Sequence, residues 1–351
     1  MSDPACGFRM NKLNARETMK VRDKNMMNAW NSTNPAADTA VSRISANRER
    51  IDLHTHTTCS DGADDPKTLL EKAQKLGLKT ISITDHNSVA AYDDPVMAGR
   101  LKIYDGQIIP GVEITCMFEG EVVEVLGYGF DLQKMKQELR DHVLSFEDKQ
   151  NKEASLIRQT LEHSHAVFDP QKIVFDPKKE SCRNAVLKEL IRHPENDRLF
   201  LDPLSRTKSR IFTRREIYNP HSPLYTDESS LYPTVSQAVR MIHEAGGIAL
   251  LAHLYEYASA DDLFSRMDEI IQENGLDGLE CRHSCFTPED SERLISYCDQ
   301  RHLKKSGGSD YHGSRKPDVV LGGKTDMRIY KDMIQDWPED IRALNFPFSL
   351  K

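Results

Sequence analysis

The sequence lacks any apolar run approaching the roughly 20 residues needed to span a bilayer as a helix. Its best stretch, Gly247 to Tyr255, is short and contains His253, so no membrane association is expected. It also lacks an excess of basic charge. The 47 Lys and Arg stand against 55 Asp and Glu, leaving a net charge of -8. Bulk coating of nucleic acid depends on clustered cations neutralising phosphates, and is therefore not expected. No CxxC pair occurs, and the seven cysteines, at positions 6, 59, 116, 182, 281, 285 and 298, are too scattered for a disulfide framework. They read as reduced thiols, mostly packed inside. The first residues do not follow the charged, apolar, small-residue order of a secretory signal, and Asp3, Glu17 and Asp23 argue against a transit peptide, so the expected compartment is the cytoplasm. No fixed-period repeat or low-complexity tract appears.

What is present is the composition of an ordinary globular chain. It has 351 residues, 29% of them charged and 38% hydrophobic, which suits two modest domains or one large α/β barrel. Residues 1 to 48 lack sustained apolar periodicity and read as a disordered tail. The pattern then becomes strand Ile51 to Leu53, helix Pro66 to Leu76 and strand Thr80 to Ile83. A strand near Ile108 and Ile109 leads into Glu113, and another covers Val122 to Leu126. Residues 131 to 232 differ. Helical patterns through Leu132, Met135, Leu139, Ile157 and Leu161 give way to charged stretches punctuated by Pro194, Pro203, Pro220 and Pro223, the texture of an inserted, mainly helical cap. Beyond it come helix Val235 to Ala245, strand Ile248 to Ala252, helix Ala260 to Asn274, strand Gly278 to Cys281 and helix Pro288 to Arg301. Alternating β and α elements predict a parallel sheet, with residues 49 to 130 and 233 to 351 forming one barrel.

Chemistry-bearing residues recur where strands run into loops. His54-Thr55-His56 follows the first strand, and two histidines at i and i+2 on extended backbone share a face and can reach one metal ion. Asp61 comes shortly after. Asp85-His86 ends the second strand, Glu113 follows the third, His253 ends the strand before it, and Asp310-Tyr311-His312 follows Ser306-Gly307-Gly308-Ser309. Each has a plainer reading alone, since Asp85 could cap a helix and Asp310 could sit in a turn. A barrel gathers strand ends in space, so their joint placement predicts a cluster. Nitrogen and oxygen donors without thiolates suit Mn, Zn or Fe.

The segments DLHTHTTCSDG (52 to 62), TDHNS (84 to 88), IPGVEIT (109 to 115), LLAHL (250 to 254), GLECRHS (278 to 284) and GGSDYHG (307 to 313) together resemble the PHP (polymerase and histidinol phosphatase) phosphoesterases. The resemblance implies a distorted (β/α)7 TIM-like barrel and two or three divalent metal ions. It implies that His54, His56, Glu113 and Asp310 hold one ion, that Asp61, His86 and His312 hold another, and that His253 shares Glu113 at a third. Where relatives carry a histidine in the next strand, this chain reads Val123-Glu124-Val125, so Glu124 becomes the candidate ligand there. His283, Arg282 and Arg183 are the implied phosphate contacts, with His283 also a candidate to assist the leaving group. Asp85 is expected to orient a ligand histidine. Arg315 and Lys316 read as a solvated loop.

The implied activity is hydrolysis of a phosphate ester of a nucleotide or small phosphorylated metabolite, through in-line attack by a metal-bridging hydroxide. A 5′ to 3′ exoribonuclease acting on short RNA is the alternative within the same chemistry. A non-catalytic metal-binding module is the alternative outside it.

Overall fold

The computed structural model describes residues 48–99, 103–176, 180–257 and 259–342. The tail expected over residues 1 to 48 lies outside these apart from Arg48. The strands are β1 (Arg50–Asp52), β2 (Thr80–Ile83), β3 (Gln107–Phe118), β4 (Glu121–Tyr128), β5 (Ile248–Leu251), β6 (Gly278–Arg282), β7 (Lys304–Gly307) and β8 (Ile329–Tyr330). The principal helices are α1 (Pro66–Leu76), α2 (Leu132–His142), α3 (Phe146–His163), α4 (Cys182–Leu190), α5 (Val235–Glu244), α6 (Met267–Asn274) and α7 (Pro288–Arg301). Among the described residues no helix is long and apolar enough to cross a membrane, and the six described cysteines are free thiols.

Local sequence sets the helix ends. Asp65 accepts the Thr68 N–H, Pro66 opens α1, and Gly77 closes it in the left-handed region at φ 68°. Thr287 and Asp290 form a reciprocal capping box at the start of α7. The helix expected to run unbroken from Ala260 to Asn274 is interrupted at Arg266. There Arg266 leaves helical geometry at φ -108°, ψ 15°, while the Asp262 carbonyl accepts both its N–H at 3.2 Å and the Ser265 hydroxyl at 2.7 Å.

The strands form one eight-stranded sheet in the order β7-β6-β5-β4-β3-β2-β1-β8. β1, β2 and β3 pair in parallel, as do β5, β6 and β7. The expectation of a uniformly parallel sheet is corrected at β4, which runs antiparallel to β5, and at β8, antiparallel to β1. At β4 the reason is the two-residue turn Glu119-Gly120. Both residues take positive φ, 48° and 85°, which permits a tight hairpin where a parallel partner would need a long crossover.

The two ends of the parallel array meet. The Leu53 N–H donates to the Gly307 carbonyl at 3.2 Å, the Asp310 N–H to the His54 carbonyl at 2.9 Å, and Thr55 bridges Tyr311. This closes the sheet into a distorted, TIM-like barrel. Its interior is filled by Ile51, Leu53, Ile109, Leu126, Tyr128, Leu250 and Ile329, plugged by Trp337, whose indole N–H donates to the Lys305 carbonyl.

The chain divides into two compact units. One runs to Cys116 and includes Val123–Leu139 and the chain from Val235 on; the other comprises Met117–Val122 and Arg140–Thr234. The second has its own core, in which Ile157 and Leu161 of α3 pack with Val186 and Leu190 of α4 and with Phe212, Ile217 and Leu224. Its proline-punctuated stretch is tied together by buried Glu216, whose carboxylate accepts the Leu201 and Asp202 N–H groups and the Ser205 and Ser222 hydroxyls.

Candidate metal centre

Backbone alternation past the end of β1 sends His54 and His56 to one side and Thr55 to the other, where its hydroxyl donates to the Ser82 carbonyl at 2.7 Å. The histidine Nε2 atoms lie 3.1 Å apart. The chain after β7 passes directly over them. A Cβ at Gly308 would stand 2.1 Å from that of His54, so only glycine allows this approach. Two residues on, Asp310 takes a left-handed φ of 57°, an uncommon conformation for a side-chain-bearing residue, and is followed by His312. His86 extends from β2, Glu113 and Glu124 point from β3 and β4, and His253 and His283 follow β5 and β6. Asp61 rides on the loop after His56.

These side chains converge. Glu113 Oε2 lies 3.2 Å from each of three imidazole nitrogens, His54 Nε2, His56 Nε2 and His86 Nδ1. Glu113 Oε1 is 2.9 Å from His253 Nε2. Glu124 reaches His253 Nε2 at 3.1 Å and His86 Nδ1 at 3.2 Å. Asp310 Oδ1 stands 3.2 Å from His56 Nε2 and 3.3 Å from His312 Nδ1, and Asp61 Oδ1 is 3.1 Å from His312 Nε2. All are buried except Asp61 and His86, which are about one-fifth exposed, with side-chain exposures of 23% and 19%.

Electrostatics follow the crowding. Burial alone would push the Glu113 carboxyl up, but His54 and His86 beside it hold it well below the usual range. Glu124 is likewise penalised by burial and by Glu113, yet His86 and His253 bring it down to about 2. Burial disfavours charge on His54, and Glu113 and Glu280 outweigh it, raising the imidazole well above its norm.

The donor set fits divalent metal ions. Glu113 Oε2, His56 Nδ1, His86 Nδ1, His253 Nδ1 and His312 Nε2 are all buried without a hydrogen-bond partner. Burying one uncompensated carboxylate costs several kcal/mol against a whole-domain margin of about 5–15 kcal/mol, so a cluster of acids needs cations at its centre. Among the described residues five groups bring one donor atom each within 4.8 Å of one another: His56, Asp61, His86 and His312; His54, His56 and Glu113; His86, Glu113 and Glu124; His54, Glu280 and His283; and Glu256, His283 and Cys285. Nitrogen and oxygen donors in this mixture are those of Zn, Mn and Fe sites.

Comparison with known proteins decides the family. The PHP domain profile matches residues 52–284, well over half of the chain. The chain belongs to the PHP domain family. It is accordingly a metal-dependent phosphoesterase. Among curated PHP relatives, the 5′-3′ exoribonuclease Rnm of Salmonella typhimurium is 26% identical over 78% of this chain and 88% of its own length. The phosphoribosyl 1,2-cyclic phosphate 1,2-diphosphodiesterase of Eggerthella lenta is 28% identical, covering 75% and 94%. The 3′,5′-nucleoside bisphosphate phosphatase of Chromobacterium violaceum is 25% identical, covering 79% and 92%. In fold, the chain resembles a Bifidobacterium adolescentis protein described as a metal-dependent phosphoesterase, with TM-score 0.53 and 22% identity over 85% of this chain and 98% of that one.

Within this PHP barrel some expected roles move. Asp85 does not meet an imidazole; it accepts the Thr57 N–H and hydroxyl at 2.7 and 2.6 Å and the Ser60 hydroxyl, fastening the loop that carries Asp61. Arg282 leaves the cluster because the β6–β7 register shifts between Glu280 and Arg282, breaking the alternation that would put it on the face of Glu280, and it turns toward the Arg328 carbonyl and Glu292. Arg183, in the second unit, is engaged by Glu153 and Glu228 and lies over the Tyr218 ring. His283 is buried, its Nε2 3.4 Å from Asp310 Oδ2.

Three residues beside the cluster went unassigned in the sequence. Glu280, inside GLECRHS, accepts from His54 Nδ1 at 2.9 Å and from the His253 N–H at 2.8 Å, fixing which His54 nitrogen faces inward. Asp52 accepts from the Ser309 N–H and hydroxyl and the Gly322 N–H, tying β1 to the Asp310 loop. A buried acid on a strand was the available signal for both. Lys316, read as solvated, donates to Asp310 Oδ2 at 2.6 Å.

Proposed function

We propose that this protein hydrolyses a phosphate ester of a nucleotide or small phosphorylated metabolite, with two or three divalent ions (Mn, Zn or Fe) at the centre. The observation that carries this reading is Glu113 Oε2, ringed at 3.2 Å by three imidazole nitrogens and hydrogen-bonded to none of them. His54, His56, Glu113 and Asp310 would hold one ion, Asp61, His86 and His312 a second, and His253 and Glu124 with shared Glu113 a third. When bound, such ions polarise phosphoryl oxygens and bring the pKa of water toward neutrality.

The chain's own residues arrange the rest. Glu280 keeps His54 Nε2 directed inward, Asp85 steadies the Asp61 loop, and His283 presents a ring nitrogen for phosphate binding or for protonating the leaving oxygen. Residues 131 to 232 are the proposed substrate-selecting insert; from Arg140 on they belong to the second compact unit, which has a core of its own.

A second reading, 5′ to 3′ trimming of short RNA, is supported by relatives that carry the exoribonuclease name, including one from Haemophilus influenzae at 27% identity over 75% of this chain. Elemental analysis of purified protein, paired with a screen of nucleotide mono-, bis- and cyclic phosphates and short 5′-phosphorylated RNA, tests both. Product release that stops on chelation and returns with metal is the expected result. A metal-loaded protein that cleaves none of them would instead be a non-catalytic binding module.

A further inference from the structure

Both arginines expected to meet the phosphate are committed to other partners, which leaves the question of what cation a substrate would find. The geometry of the Asp310 carboxylate answers it. Oδ1 faces the imidazoles of His54, His56 and His312. Oδ2 faces the other way, 2.6 Å from the Lys316 ammonium and 3.4 Å from His283 Nε2. Lys316 is well placed to act there, because its side chain is only 14% exposed and its backbone is fixed by the turn Gly313–Arg315, with its N–H on the Gly313 carbonyl at 3.2 Å.

His283 has a defined tautomer. Its Nδ1 accepts the Cys285 N–H at 3.3 Å, so in the neutral ring the proton sits on Nε2. That Nε2 is buried and forms no hydrogen bond, the 3.4 Å approach to Asp310 Oδ2 lying beyond the usual N–H···O range of about 2.7–3.2 Å. A buried donor without an acceptor is costly and points to a missing ligand. Two N–H donors, one of them a permanent cation, therefore converge on a single anionic oxygen at the rim of the metal ligands.

We propose that Lys316 and His283 together bind a terminal oxygen of the substrate's phosphoryl group, which makes Lys316 the side chain that supplies fixed positive charge to the substrate. The inference rests on the phosphoesterase reading. A tetrahedral phosphoryl group has further oxygens, so one held between these donors leaves Asp310 Oδ1 facing His54 and His56. A compact ammonium suits a single oxygen, where a guanidinium would demand two. It also offsets the repulsion that Asp61, Glu113, Glu124 and Asp310 would exert on an approaching phosphate.

The test uses metal-loaded full-length protein and inorganic phosphate as probe, comparing Lys316→Met, Lys316→Arg and the control Arg282→Ala. Phosphate binding by calorimetry, KM and kcat, metal content and thermal melting are read for each. Lys316→Met is expected to bind phosphate about 10- to 100-fold more weakly, the range of one charge-assisted hydrogen bond, and to raise KM more than it lowers kcat, with metal content kept. Lys316→Arg should recover part of the loss, and Arg282→Ala should match the parent. Unchanged phosphate affinity in Lys316→Met, or a drop in metal content with full phosphate affinity in the sites still loaded, would mean that Lys316 only fastens Asp310 and would overturn the proposal. If the parent protein itself neither binds phosphate nor releases it from any ester, the phosphoesterase reading falls as well; an active parent with an unaffected Lys316→Met removes only Lys316.

Discussion

Two buried glutamates, one in each compact unit, show opposite uses of the same side chain. Glu216 has both oxygens filled, by two backbone N–H groups and two hydroxyls, and it knits an otherwise irregular stretch into a fixed shape. Glu113 has one oxygen at 3.2 Å from three imidazole nitrogens and bonded to none. A carboxylate with every lone pair satisfied is structural; one whose oxygen stays open among three imidazole nitrogens is suited to something positive. The contrast separates scaffold from centre without reference to any relative.

The comparison can be broken by substitution. Glu113→Gln is expected to lower phosphate release by about a thousandfold or more, exceeding the loss of a single oxyanion donor, while the protein still folds by circular dichroism. Near-normal turnover would put Glu113 in the class of Glu216. Glu216→Ala should do the reverse, costing about 3 kcal/mol or more in urea unfolding because several buried donors lose their acceptor together. A smaller loss would show that water or relaxation replaces it. Glu280→Gln sits between the two, since it touches the centre only through His54 and His253. Metal affinity measured by competition with a chelator should fall about 10- to 100-fold, the usual effect of losing a group that orients a ligand. The mildest change is expected from Glu124→His, which exchanges a charged oxygen donor for a neutral nitrogen. It should shift which of Mn, Fe or Zn is retained after dialysis, and an unaltered preference would remove Glu124 from the ligand set.

Much of the fold was legible where its cause is local. The bounds of α1 and α7 follow from Asp65, Pro66, Gly77 and the Thr287 box, all readable within a few residues. β8 and the reversal at β4 were not, because a two-residue strand has no period to read and glutamate at Glu119 gives little hint of positive φ. The centre followed the same rule. Histidines and acids at strand ends could be gathered by assuming a barrel, but Glu280 and Lys316 take their meaning from partners across it, His54 being 226 positions from Glu280. Arg282 could not be set aside from the sequence, since alternation alone would give it the face of Glu280 and only the register shift in β6 turns it away.

The seam where the barrel closes has a consequence for biosynthesis. Asp52 takes its hydrogen bonds from Ser309, 257 positions later, and the same seam brings His54 beside Asp310. Chains emerge from the ribosome in order, and contacts this distant form late. A growing polypeptide therefore lacks Asp310 and His312 until the segment after the seventh strand has been made, and the sites that use them can be completed only then. Products cut short before Asp310 would fold some of their helices and still lack a ligand of two of the proposed ion sites.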